Sequence, residues 1–80
     1  MKVRIFITLK EDVLDPQGRA VVGSLKTLGF GDVQDARVGK LIELKLKIHE
    51  KREAEKQVTE MCEKLLANAV IENYKVEFVS

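Results

Sequence analysis

"VQDARVGKLIELKLKI", Val33 to Ile48, is the stretch whose reading decides how this chain folds. Ala36, Val38, Ile42, Leu44, Leu46 and Ile48 carry even numbers, while Asp35, Arg37, Glu43, Lys45 and Lys47 carry odd ones. Side chains alternate across a strand, so this parity places one set on a buried face and the other in solvent. A two-residue hairpin at Gly39-Lys40 would set Val38 opposite Leu41 and Ala36 opposite Glu43, mixing the faces. A three-residue loop would keep the parity, but its glycine belongs at the last loop position, which here is Leu41. The pattern favours one long strand, bent or bulged at Gly39, with a hairpin as the alternative.

Upstream, Val3, Ile5, Ile7 and Leu9 alternate with Lys2, Arg4, Thr8 and Lys10 in a strand with one buried face, and Phe6 is the one large apolar residue on its polar side. A helix follows, with Asp15 as N-cap, Pro16 at the first helical position, Val21, Val22, Leu25 and Leu28 at helical spacing, and Gly29 or Gly31 as its stop. Downstream, Ala54, Val58, Met61, Cys62 and Leu65 form the stripe of a second helix, which Asn68 ends in a left-handed conformation. Tyr74, Val76 and Phe78 then alternate with Lys75 and Glu77 in a closing strand. The order strand, helix, long strand, helix, strand predicts an α+β fold: an antiparallel sheet with two helices on one face, related to the ferredoxin-like arrangement. Half of a sixteen-residue strand would have no neighbour in its own chain, so a second copy is expected to extend the sheet by dimerisation.

Eighty residues suffice for a single domain, here residues 1–80, with a thin core. One cysteine, Cys62, excludes an internal disulfide and suits a reducing compartment. A formal charge of +1 leaves no electrostatic footprint for nucleic acid or an anionic membrane, and no apolar run approaches the length that spans a bilayer. The Met1-Lys2-Val3-Arg4 start alternates at once, unlike a signal peptide, so the expected location is the cytoplasm.

Catalytic chemistry is hard to place. His49 is the single histidine and has no ligand-type residue at metal-binding spacing. Cys62 sits on the apolar stripe beside Met61, and "EKREAE" at Glu50–Glu55 is a solvated helix face. Asp15 is explained as a cap, and Gly39-Lys40 lacks the rest of a phosphate loop. Neither catalytic nor metal-binding residues are assigned. What remains is a polar set with no task in the core: Asp15, Pro16, Gln17, Gly18, Arg37, Gly39, Lys40, Asn68 and Asn73. Caps, a bulge and turns account for most of it. Gly18 is the exception, a poor residue for a first helical turn, and with Arg37 and Lys40 it would suit close approach by the backbone of another protein.

Three stretches, "LKEDVLDPQGRAV" (Leu9–Val21), "VQDARVGK" (Val33–Lys40) and "EMCEKLLANAVIENY" (Glu60–Tyr74), resemble the PurS family, small subunits of bacterial and archaeal formylglycinamide ribonucleotide amidotransferase. The resemblance runs over nearly the whole chain without a departure inside the motifs. It implies a part in the fourth step of purine synthesis, in which formylglycinamide ribonucleotide, glutamine and ATP give the formylglycinamidine ribonucleotide, glutamate, ADP and phosphate. In that enzyme the glutaminase subunit PurQ releases ammonia and the synthetase subunit PurL uses ATP and Mg²⁺. The resemblance implies that this chain has no cofactor of its own, forms a homodimer or a tetramer of two dimers, and bridges PurL and PurQ. A small-molecule regulatory module of ferredoxin-like type is the alternative, and it would need a ligand pocket at the dimer interface.

Overall fold

A computed structural model describes residues 1–79. The elements are β1 (Lys2–Leu9), α1 (Pro16–Thr27), β2 (Gly39–Lys45), α2 (Lys51–Met61) continued by a π turn (Cys62–Leu66), and β3 (Glu72–Val79). The three strands form one antiparallel sheet in the order β2-β1-β3. β1 lies in the middle, with Ile5 opposite Ile42 on one side and Val76 on the other. Val3, Ile5 and Ile7 are fully buried beneath Val58 and Cys62 of α2 and its π turn, with Ile42, Leu44, Tyr74, Val76 and Phe78 packed around them. Lys51 at the start of α2 lies 5.7 Å from the centre of the Phe78 ring, a cation–π contact that ties the helix to β3.

The α+β class, the antiparallel sheet and the two helices agree with the sequence reading, and three details differ. The long strand is shorter than expected: it spans Gly39–Lys45, with Leu46 bonded to Met1 just beyond, and no hairpin forms at Gly39-Lys40. The reason is the length of its neighbour. The ladder with β1 ends where Thr8 meets Gly39, so residues 33–38 have no strand beside them in this chain. Their alternation persists without the ladder, since Ala36 and Val38 are half-buried while Asp35 and Arg37 are exposed. Gly39 is the first residue of β2 rather than a bulge, and a Cβ there would come 2.6 Å from the Ile7 carbonyl oxygen.

The second difference is α1, which does not share a sheet face with α2. Neither the core nor the half-buried residues packed on it include a residue of α1. Its apolar stripe stays accessible, with Val21 40% and Leu28 72% exposed, and Phe30 just beyond it at 58%. The helix itself is well formed, ending in a Schellman motif in which Phe30 N–H reaches Leu25 O, Gly29 N–H reaches Lys26 O, and Gly29 takes φ 101°. The helix is thus capped at both ends while much of its apolar side stays accessible. The radius of gyration, 16.1 Å, exceeds the roughly 12 Å of a compact chain this long, because α1 projects as an arm.

The third difference is a phase shift in α2. The stripe Ala54, Val58, Cys62 is buried as expected, but Leu65 is 82% exposed. Ala67 N–H bonds to Cys62 O, five residues back, so the last turn holds one extra residue. That insertion rotates the following side chains by about 100°, and Leu66 takes the inward place that Leu65 would hold in a regular helix. Leu66→Ala is therefore expected to lower unfolding stability by about 2 kcal/mol at every protein concentration. Leu65→Ala should act only through association, with an effect that varies with concentration; urea midpoints at several concentrations separate the two.

Candidate functional site

The polar residues left over by the core gather at the base of the α1 arm. Asp15 is the centre, only 5% exposed. Its Oδ1 accepts the Gly18 N–H at 2.9 Å, which caps α1, and its Oδ2 accepts the Val38 N–H at 2.9 Å from the segment returning to β2. Arg37 Nε lies 4.0 Å from Oδ2. The Gly18 N–H, then the Val38 N–H, hold the carboxyl below the usual aspartate range, aided by the Arg37 charge against the opposing effect of burial. Both oxygens are occupied and the group stays anionic, so Asp15 is a fastening and a poor general base.

Arg37 completes the fastening from the other side. Its Nη2 lies 2.8 Å from Lys10 O, 3.3 Å from Val13 O and 3.4 Å from Leu9 O, a clasp across the turn that leaves β1. Gly18 is buried where α1 meets the returning chain. A Cβ on it would lie directly against the Ala36 carbonyl oxygen, 3.0 Å from that carbonyl carbon and 2.8 Å from Asp15 Oδ2. The close backbone approach expected at this glycine exists, and the backbone is this chain's own.

A second cluster lies beside the first. Glu72, at the start of β3, accepts the Asn68 N–H at 2.7 Å through Oε1 and pairs with Lys40 Nζ at 3.6 Å through Oε2. Gln17 and Gly39 border a groove of about 180 Å³ with Lys40 and Glu72. Asn68 does not end the helix in a left-handed conformation, since no described residue other than Gly29 has positive φ. Ala67 is extended after the π turn, and Asn68 instead shapes the next turn, its Oδ1 accepting the Val70 N–H at 3.1 Å. Asn73 stands apart, opposite Thr8 on the outer face of the sheet, and Pro16 occupies the exposed first position of α1.

Sequence reasoning missed Glu72, whose signal was faint: a carboxylate at a strand start, four residues after a turn asparagine. Elsewhere, Cys62 is buried in the core, where desolvation first and Glu63 second raise its thiol pKa. His49 is exposed between β2 and α2. Among the described residues no three His, Cys, Asp or Glu side chains converge as metal ligands. The arrangement joins the two passages at the base of a protruding helix.

The family model of PurS, phosphoribosylformylglycinamidine (FGAM) synthase, matches residues 2–80. The Bacillus subtilis phosphoribosylformylglycinamidine synthase subunit PurS is 50% identical over 76 residues, covering 95% of this chain and 89% of that one. The crystal structure of Methanocaldococcus jannaschii PurS, one of the subunits of formylglycinamide ribonucleotide amidotransferase in the purine biosynthetic pathway, superposes with a TM-score of 0.84 at 38% identity, covering 99% of this chain and 98% of that one. A chain in the structure of PurLQS from Thermotoga maritima superposes with a TM-score of 0.87 at 33% identity, covering 95% and 93%.

Two outcomes follow from this geometry. Gly→Ala in a helix usually stabilises, and Gly23→Ala, with nothing within 4 Å of the new Cβ, should raise stability by about 0.5–1 kcal/mol. Gly18→Ala should do the opposite and cost about 1–3 kcal/mol, because Ala36 has no room to withdraw without breaking the Val38 bond. Thermal melts of both variants at one concentration check the sign.

The second outcome concerns acid. The folded-state pKa of Asp15 lies below its unfolded value, so its contribution is complete above roughly pH 4 and is lost as pH falls through the lowered value. Amide protection at Gly18 and Val38 should decline in that window, and Asp15→Asn should abolish the pH step. Glu43 is likewise held below its usual range, by its hydrogen bonds to Arg4 and then Lys2. Its effect falls on the sheet, so Glu43→Gln should leave the Gly18 and Val38 amides unchanged.

Proposed function

This chain belongs to the PurS family, and from that premise we propose that it is the non-catalytic assembly subunit of a phosphoribosylformylglycinamidine synthase in the cytoplasm, residues 1–80 acting as one unit. It couples a PurQ-type glutaminase to a PurL-type synthetase so that ammonia released from glutamine reaches the amide being aminated. ATP and Mg²⁺ belong to the synthetase, and this chain carries no cofactor. The observation that carries the reading is the likeness along nearly the whole chain to a chain of the Thermotoga maritima PurLQS structure.

The geometry supports that reading in two ways. The polar cluster at the arm base is spent on internal fastening, which leaves shape rather than chemistry as the chain's contribution. The arm also presents what a second copy needs. The stripe Val21, Leu25 and Leu28 faces away from its own core, while Leu44, Met61, Leu65 and Leu66 line a groove of about 520 Å³ between β2 and the π turn. The free edge of β2 adjoins this groove. Reciprocal seating of each arm on the other copy's sheet buries both apolar surfaces and gives each sheet the second helix that its own chain withholds.

Light scattering at micromolar concentration should give at least twice the 9.1 kDa chain mass. Added to a glutaminase and a synthetase of the same source, the chain should raise the glutamine-dependent rate and leave the ammonia-dependent rate unchanged. A glutamine-dependent rate that ignores the chain would refute the coupling role.

A further inference from the structure

The α1 arm leaves the sheet through residues 10–15, where the Lys10 N–H bonds Ile71 O at 2.9 Å, and returns through residues 36–38, and beyond that bond the two passages are tied to each other. Asp15, on the outgoing passage, bonds the Val38 N–H of the returning one at 2.9 Å while capping α1 at Gly18. Arg37, on the returning passage, reaches back to Lys10 O at 2.8 Å, with Leu9 O and Val13 O at 3.4 and 3.3 Å. The ties cross, so neither passage can swing without breaking the other's bonds. No α1 side chain enters the core, so packing on the sheet does not set the helix direction within the chain.

We infer that Asp15 and Arg37 are positioning residues for assembly, fixing the direction in which α1 presents its apolar stripe to a partner. This rests on the assembly role proposed above. Hydrogen bonds are directional where apolar packing is not, and two crossed ones define an angle. An arm held at one angle meets its partner without paying the ordering entropy that a swinging arm would lose on docking.

The test separates the cap from the tie. In Asp15→Ser the serine can still cap α1 but is too short to reach Val38 as well. Arg37→Lys keeps a positive charge and both hydrogen bonds to the Asp15 carboxylate, and removes the fork over the turn carbonyls. Spin labels on Ser24→Cys and Lys75→Cys, both exposed positions, report the distance from arm to sheet; buried Cys62 stays unlabelled, and excess unlabelled chain removes distances between copies. The parent chain should give one narrow distance, and both variants a broadened or displaced one. In the reconstituted complex the glutamine-dependent rate should fall by up to about a hundredfold, the scale of a 1 Å misplacement, with the ammonia-dependent rate retained.

An unchanged narrow distance in the variants overturns the inference. So does a broadened distance with both rates intact, or an equal loss of both rates, which places the residues in the fold or the synthetase contact. If Asp15→Ser fails to fold, Arg37→Lys decides by the same criteria. A parent chain that does not stimulate the glutamine-dependent rate refutes the assembly role instead, and the distance measurement still judges the hinge.

Discussion

One strand has neighbours on both sides, and the rest of the molecule is arranged around that fact. β1 alone is paired along both edges, and its Val3, Ile5 and Ile7 are the floor on which α2 rests. A sheet of three strands with one helix on it gives a small core, and everything that reaches beyond the length of β1 leaves that core. The strand ends at Leu9, so the ladder with β2 stops at Gly39, and the 29 residues from Lys10 to Val38 are built outside the sheet.

That excursion explains why polar residues crowd its base. A segment supported by packing has many weak contacts and needs no single one. A segment outside the core is held by few bonds, each of which must be directional and complete. Asp15 meets this need with both carboxylate oxygens, Arg37 with its guanidinium across three carbonyls, and Gly18 by the absence of a side chain where Ala36 passes. Glu72 performs the same office one layer away, joining the Asn68 turn to Lys40 of β2.

The sequence disclosed what depends on neighbours along the chain and hid what depends on neighbours in space. Asp15-Pro16 announced the start of α1, Gly29 its end, and the alternation of Val3, Ile5 and Ile7 the buried strand. The even-numbered face of Ile42 to Ile48 was legible too, because parity belongs to the strand itself. The placement of α1 was not, since an amphipathic stripe shows that a helix must be covered and says nothing of which chain covers it. The π turn escaped because one inserted residue leaves the composition of the stripe intact and changes only its phase, trading Leu65 for Leu66. Within the candidate site, Asp15 and Gly18 were singled out for the right positions, while their partners Val38 and Ala36 act through backbone atoms that carry no side-chain signature.

A chain with these properties suits a task in which geometry is the product. Two-fold pairing of such arms is isologous, so whatever surface one copy offers, the other offers again on the opposite side of the axis. Two unlike partners are then distinguished either by using different surfaces of the pair or by one excluding a second copy of itself. Both routes demand that the two sheets hold a fixed relative orientation, and in an arm-exchanged pair that orientation is transmitted through the base of each arm. The apolar stripe supplies the attraction, but a stripe is tolerant of sliding and rotation. The angle has to come from bonds that tolerate neither, and at the arm base those are the Asp15 and Arg37 ties.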